Sequence, residues 1–450
     1  MTTDYAKPLT HKTVLAVAVP IMLANVSEPL IGVVNTAVIG RLNDPAMIGG
    51  VAIGGVIFGF LFWGFGFLRL STSGLAAQAA GAADHPELAA VFWRSLMLAV
   101  LIGFAILLLS PLIGPFAVSL MGGSDAVQAA NLEYFSWRVL SAPAALANFA
   151  ILGWFVGQSR TKTALAVQLF LNLINMALSM FFVLNLGWAV AGVGLAAVCA
   201  EYAGLILGLI FVASRMRGLG LWFDAAHVFS VAKIRHIISA NSDIMLRTIL
   251  LLFAFAWMAS RSARLGDVPV AANAILLHFF DVAAFLTDGF AYTAEAFVGQ
   301  SIGARNLTRY RQAIRLSTIW GMGFGILTGL IIWFAGEPLV RLMTNNESVI
   351  AFALHYLGWA ALTPALGAAC FLYDGIFTGA LATREMRNMM LFSTLAYLGA
   401  WWLLEPAFGN HGLWAALCIF FVARGLSFAS RLPAIERRAF DRYEKAAVKI

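Results

Sequence analysis

Charge is what this chain has least of. Only 11% of its 450 residues are Asp, Glu, Lys or Arg, whereas a soluble globular domain carries about 25%. So few charges cannot cover a folded body in water, which excludes a soluble domain of any size. Cysteine is nearly absent as well. Cys199, Cys370 and Cys418 all fall inside apolar runs and have no metal-ligand spacing, so a disulfide framework and a metal centre are both unexpected. The chain has no GxSxG elbow, no HExxH pair and no GxxxxGK[ST] loop. It is therefore not expected to be an enzyme or to drive a pump with ATP, and no cofactor is called for.

What is present is apolar: 61% of residues are hydrophobic and the mean hydropathy is +0.86. Runs of about 20 apolar residues, the length that crosses a bilayer, recur along the chain. Twelve are placed at 14–40, 51–79, 91–116, 134–158, 163–186, 190–213, 244–264, 270–302, 314–335, 351–379, 389–408 and 412–432. The first is too long for a secretory signal, and eleven more follow it. The expected fold class is an all-α polytopic membrane protein, with twelve transmembrane helices in two pseudo-symmetric six-helix bundles.

The chain repeats itself. Gln78, Gly81 and Ala82 return as Gln300, Gly303 and Ala304, about 222 residues later. Tyr134, Trp137, Leu140, Gly153, Phe155 and Gly157 return at the same spacing as Tyr356, Trp359, Leu362, Gly375, Phe377 and Gly379. The expected domains are an N-terminal bundle at 1–213, a linker at 214–243, a C-terminal bundle at 244–432 and a basic tail at 433–450. The linker holds Gly218, Gly220, Asp224, Lys233 and Arg235, with one amphipathic turn around Trp222–Phe229. Six spans per half make the repeat parallel, an arrangement in which the halves can rock about a shared central site. Pro20 and Pro29 interrupt the first span and can bend it, as can Pro143 and Pro364 in the fourth and tenth.

Basic residues set the orientation. One side of the expected topology takes 23 of the 29 Lys and Arg, including a tail with Arg437, Arg438, Arg442, Lys445 and Lys449. The other side takes Arg41, Arg261, Arg264 and Arg341. Both termini are expected in the cytoplasm. The charges form no continuous basic face, so no nucleic-acid partner is expected.

PIMLANVSEPLIGVVNTAVIGRL at 20–42 resembles the opening signature of the MATE (multidrug and toxic compound extrusion) transporters, and most of all their DinF-like branch. Agreement continues at 67–82 (FLRLSTSGLAAQAAGA), 140–154 (LSAPAALANFAILGW), 241–247 (NSDIMLR), 288–305 (DGFAYTAEAFVGQSIGAR) and 385–390 (EMRNMM), so it covers nearly the whole chain. The resemblance implies two six-helix bundles with a cavity between them. It also implies export of organic compounds driven by a proton or sodium gradient. Proton-coupled relatives carry Asp where this chain has Asn35, which cannot ionise but keeps nearly the shape of a protonated Asp. Either coupling has moved elsewhere in this branch, or a substitution holds a protonated-like form. In the fifth span Asn172 and Asn175 match the family pattern, whereas Ser179 stands where relatives often show Asp.

Ionisable groups in mid-span are costly, so each calls for a reason. Glu28 lies two turns from Asn35 on the same face and is either a substitute coupling carboxylate or one partner of a local ion pair. Glu201, which with Tyr202 also matches the family, either pairs structurally with Arg69 or Arg138, read as the only basic residues deep in the spans, or takes part in transport. Asp281, Asp288 and Glu295 follow at steps of seven along the eighth span, a stripe that Asp374 of the tenth can face. Glu295 and Asp374 also resemble the acidic pair of NorM-like relatives. These four are either a second coupling or substrate site, or a fixed network with Arg247 and Tyr292.

The leading expectation is a monomeric secondary multidrug antiporter in the bacterial inner membrane. It would export small amphipathic or cationic organic compounds against protons, with sodium as the other candidate ion. The alternative is a flippase of a lipid-linked precursor, which would need several inward Arg or Lys to hold phosphate heads.

Overall fold

The structure, a computed structural model, describes residues 7–42, 44–221 and 223–447, with side-chain surroundings as far as residue 440. Trp222, Lys449 and the side chains of Arg442 and Lys445 lie outside the described residues. Among the described residues every regular element is helical. In chain order these are α1 (His11–Gly40), α2 (Pro45–Gly64), α3 (Phe67–Gly81), α4 (His85–Met121), α5 (Asp125–Arg138), α6 (Ala142–Gly157), α7 (Thr161–Met180) and α8 (Ala189–Gly218). There follow α9 (Ala225–Val228), α10 (Val231–Arg264), α11 (Asp267–Gly303), α12 (Leu307–Met343), α13 (Glu347–Gly379), α14 (Thr383–Phe408) and α15 (Asn410–Ala447). With α2–α3 and α5–α6 each taken as one span, eleven spans are long and apolar enough to cross a bilayer. The twelfth expected span is α14, which is long enough but carries Tyr397, Trp401, Trp402 and Glu405 in its apolar stretch. The chain is a multi-pass α-helical membrane protein.

Local chemistry explains the boundaries. Asp44 caps α2 by accepting from the amides of Ala46 (2.9 Å) and Met47 (3.4 Å), with Pro45 in the first turn. The break between α10 and α11 falls at Gly266, whose φ of 121° few other residues adopt. Helical conformation continues through Pro20 and Pro29 in α1. The expected linker is largely helix: α8 runs on to Gly218, α9 forms one turn, and α10 starts at Val231. Likewise α15 runs through Pro433 into the basic tail.

The duplication reaches single atoms. A Cβ on Gly153 would strike the carbonyl of Arg69, and one on Gly157 that of Ser73. The counterparts Gly375 and Gly379 would strike the carbonyls of Ala291 and Glu295, so all four contacts obey the same offset. Asp84 caps α4 from the amide of Glu87 at 3.0 Å, and Asn306 caps α12 from that of Arg309 at 2.9 Å. Left-handed backbone recurs at Ala83 and Arg305, both at φ 53°, and at Ser159 (57°) and Leu381 (54°). In lipid, where hydrophobic burial does not draw helices together, such close glycine contacts carry packing. The halves differ where helices break. The first half interrupts its helices at Gly66 and over Val139–Ser141, while α11 and α13 pass unbroken through the corresponding residues. Pro143 thus opens α6, whereas Pro364 sits inside α13.

The chain forms two compact units. One joins the start of the chain up to Met22 to everything from Ile238 onward, and the other spans Leu23–Ile237. Both α1 and α10 therefore begin in one unit and end in the other. In the first unit, the amide of Leu9 donates to Gln312 Oε1 (3.0 Å), Arg309 Nη1 to the Lys7 carbonyl (2.8 Å) and Trp320 Nε1 to His11 Nδ1 (3.1 Å). In the second, Glu87 pairs with Arg94 (2.8 Å) and with Lys233 at the start of α10 (2.5 Å). Each unit has its own aromatic core, around Phe92, Trp154 and Phe155 in the second and around Phe280, Phe420 and Phe421 in the first.

Candidate functional site

In the Leu23–Ile237 unit, Asn35, Asn172, Asn175 and Ser179 are all buried. Gln168, Asn172, Asn175 and Ser179 recur at helical spacing along one face of α7. Gln168 Nε2 donates to Asn172 Oδ1 (3.0 Å), Asn172 Nδ2 to Ser27 Oγ (2.6 Å) and Ser27 Oγ to the Ala24 carbonyl (2.6 Å). Ser179 Oγ donates to Asn175 Oδ1 at 3.5 Å. This relay ties α7 to α1 one residue before Glu28. Asn35 Oδ1, two turns further on, is buried with no hydrogen-bond partner among the described residues. Sequence reading missed Ser27 and Gln168; Gln168 lies one turn before Asn172 on the stripe already identified and was accessible to the same spacing argument.

Glu28 is exposed on α1 and forms neither a hydrogen bond nor an ion pair among the described residues. It lies near enough to Arg69 and Arg138 to feel their charge. Glu201, which also feels Arg138 and Glu28, is held by Asn148 Nδ2, which donates to its Oε2 at 2.8 Å and to its carbonyl at 3.0 Å. The expected partnership of Glu201 with an arginine thus acts at longer range, and the direct partner is the amide of Asn148.

In the other unit the acids of α11 grade from open to closed. Asp281 is exposed and lies 3.8 Å from His278, while Glu295 has no exposed surface. Asp288 lies between them, half-buried. Asp374 is buried between two arginines: Arg247 and Arg424 both donate through Nη2 to its Oδ2. Both arginines also feel Asp288. Reading Arg69 and Arg138 as the only deep basic residues therefore needs correction. Arg247 and Arg424 are buried too, and they entered the side count although they belong to neither surface. An arginine within an apolar helix can be retained when a buried carboxylate from another helix compensates it, and no local pattern reveals a partner 50 residues away.

Together these residues form two charge quartets, one per unit, drawn from equivalent spans though not from equivalent positions, with the signs reversed. The first takes Glu28 from α1, Arg69 from α3, Arg138 from α5 and Glu201 from α8. The second takes Arg247 from α10, Asp288 from α11, Asp374 from α13 and Arg424 from α15. Each quartet is balanced, which is how ionised groups persist among apolar helices.

The MatE family model matches residues 20–181 and 244–399, one stretch in each half. The chain is 38% identical over 423 residues to DNA damage-inducible protein F of Escherichia coli (strain K12), covering 93% of this chain and 91% of that protein. It is 24% identical over 455 residues to the multidrug resistance protein MdtK of Edwardsiella ictaluri (strain 93-146), covering 95% and 96%. Its fold is similar to that of a MOP superfamily transporter from Pyrococcus furiosus (TM-score 0.86, 17% identity, 95% of this chain and 96% of that one). It is also similar to an outward-facing multidrug resistance MATE family transporter (TM-score 0.84, 18% identity, 95% and 97%).

Proposed function

Because the chain belongs to the MatE family, we propose that it is a secondary transporter exporting small amphipathic or cationic organic compounds across a bacterial inner membrane. It works as a monomer with both termini in the cytoplasm, and alternating access comes from rocking of the halves at 1–213 and 244–432 about the segment 214–243. The proton is the coupling ion, with sodium second. The names of its relatives among multidrug resistance proteins support this reading. One observation carries it: Glu28 is a carboxylate within a membrane helix that has no hydrogen-bond or ion-pair partner among the described residues and lies in the field of Arg69 and Arg138. Such a group can exchange a proton for a cationic substrate, because both compete for one negative charge. Asn35, Asn172, Asn175 and Ser179 then supply a polar but uncharged lining, and coupling has moved from position 35 to position 28. Asp281, Asp288, Glu295 and Asp374 form the second candidate site, and Pro20 and Pro29 let α1 bend as the halves move.

Export from reconstituted vesicles under separate proton and sodium gradients tests this. Glu28→Gln is expected to abolish proton-driven export while leaving the folded fraction unchanged, and Asn35→Asp to raise it. Full export by Glu28→Gln would remove the reading. A second reading, flipping of a lipid-linked precursor, gains weight from Arg247 and Arg424, two arginines buried within the C-terminal half. Protection of such a lipid from an externally added hydrolase, lost without this protein, would favour it.

A further inference from the structure

The quartet around Asp374 is balanced in charge but not in hydrogen bonds. Arg424 has no exposed surface, and among the described residues its Nη2 finds an acceptor while Nε and Nη1 have none. Arg247 repeats the pattern, with Nη2 on the same carboxylate oxygen and Nε lacking an acceptor among the described residues. Both arginines share Asp374 Oδ2, while the buried Oδ1 accepts nothing from the described residues. A guanidinium offers five N–H donors in a planar fork suited to oxyanions. Donors left unmade inside a protein mark either an internal water or a ligand's place. Two aromatic rings flank this cluster: the Arg424 guanidinium lies 5.9 Å from the Phe428 ring centre and 6.0 Å from that of Phe371. Aromatic neighbours beside unsatisfied guanidinium donors match an amphiphile with an anionic head better than an organic cation.

We infer that Arg247 and Arg424 form an oxyanion site inside the C-terminal half, which takes the carboxylate or phosphate head of an amphiphile, and that Asp374 is the resident counter-ion such a head displaces. Asp288 is the opposing charge that the incoming head must tolerate. The inference draws its physiological purpose from the transport reading, but binding is measured without transport. A failed export assay and a failed binding assay therefore remain separate results.

The test titrates the purified full-length chain in neutral detergent with dodecanoate, and with dodecyltrimethylammonium as a cation of equal tail length, by calorimetry. Asp374→Asn is expected to tighten dodecanoate at least tenfold without tightening the cation. Arg424→Gln is expected to weaken dodecanoate at least tenfold, and Arg424→Lys less, since it restores charge without the fork. If Arg424→Gln does not fold, Arg247→Gln and Asp374→Asn carry the comparison. Dodecanoate affinity that is unaltered in Asp374→Asn, or a variant set that changes only the melting temperature, overturns the site and leaves an ion-paired network with internal water. Repeating the titration in nanodiscs with and without phosphatidate separates the sources. Competition by phosphatidate assigns the head to a lipid, and its absence assigns it to a free amphiphile.

Discussion

Replacing Gly375 by alanine places one methyl group against the carbonyl of Ala291, where α13 crosses α11. The obstacle is backbone, so no rotamer change can relieve it, and the two helices must separate. Overpacking of this kind costs about 1–3 kcal/mol, with the upper end expected against a carbonyl. Alanine also gains about 1 kcal/mol of helix propensity over glycine. Gly323 in α12 supplies the correction, because a Cβ there meets nothing within 4 Å. Gly323→Ala should therefore stabilise by up to about 1 kcal/mol. The difference between the two variants isolates the packing cost, a factor of about 5 to 150 in the folded ratio for 1–3 kcal/mol. Unfolding in mixed micelles, followed by circular dichroism, reads it directly. The repeat adds a stricter demand: Gly153→Ala, against the carbonyl of Arg69, should match Gly375→Ala. Equal stability of Gly375→Ala and Gly323→Ala would refute the claim that close backbone approach requires glycine here. A cost confined to one half would refute the equivalence of the two crossings.

Other perturbations have defined outcomes. Asn273 donates to Ser262 and Asn410 and accepts from Trp414 and Asn410, so Asn273→Ala strands several buried groups and should cost about 1–3 kcal/mol in the same unfolding assay. Glu405 accepts from Arg261 Nε at 3.1 Å on both oxygens, and Glu405→Ala leaves a largely buried guanidinium over Trp401. The expected loss is about 2 kcal/mol, and Arg261→Met in the same chain should recover part of it. Asp224 caps α9, and its hydrogen bond from His227 holds its carboxyl below the usual range. A lowered folded value means that the cap is complete above pH ~3.9, the ordinary aspartate value, and fails as pH falls through the folded one. Hydrogen exchange at the amide of Ala226 should accelerate in that acid window, and Asp224→Ala should abolish the step.

The number of long helices was legible because membrane helices need long apolar runs; their exact ends, set by residues such as Asp44, Asp84 and Gly266, lie outside those runs and were less legible. The duplication was legible because its glycines touch backbone, which tolerates no substitute and so preserves the repeat in the letters. The charge quartets were legible only in part. Arg69 and Arg138 were already candidate partners of Glu201, and Arg247 was one for the acids around Asp374. Glu28, Arg69, Arg138 and Glu201, however, come from four helices and act on one another through charge rather than contact. Arg424 stood in plain view within FVARGLSF, but its role depends on Asp374, whose approach is decided by tertiary packing. The breaks at Gly66 and Val139–Ser141 were hidden for a related reason: the matching stretches of the second half remain helical, so composition alone does not separate the two outcomes.

The sharing of α1 between the two units has a consequence in time. The residues leading into this helix, Lys7 and Leu9, are held by Arg309 and Gln312 and its first residue, His11, by Trp320, partners all made long after α1 itself. At a synthesis rate of about 5–20 residues per second, the ribosome needs roughly fifteen seconds to a minute to reach them. Throughout that interval the opening helix sits in the bilayer with its later half ready to fold and its earlier half without its partners. Newborn chains therefore pass through an obligatory waiting state, and whatever shields His11–Met22 during it is as necessary to the transporter's assembly as any contact in the finished molecule.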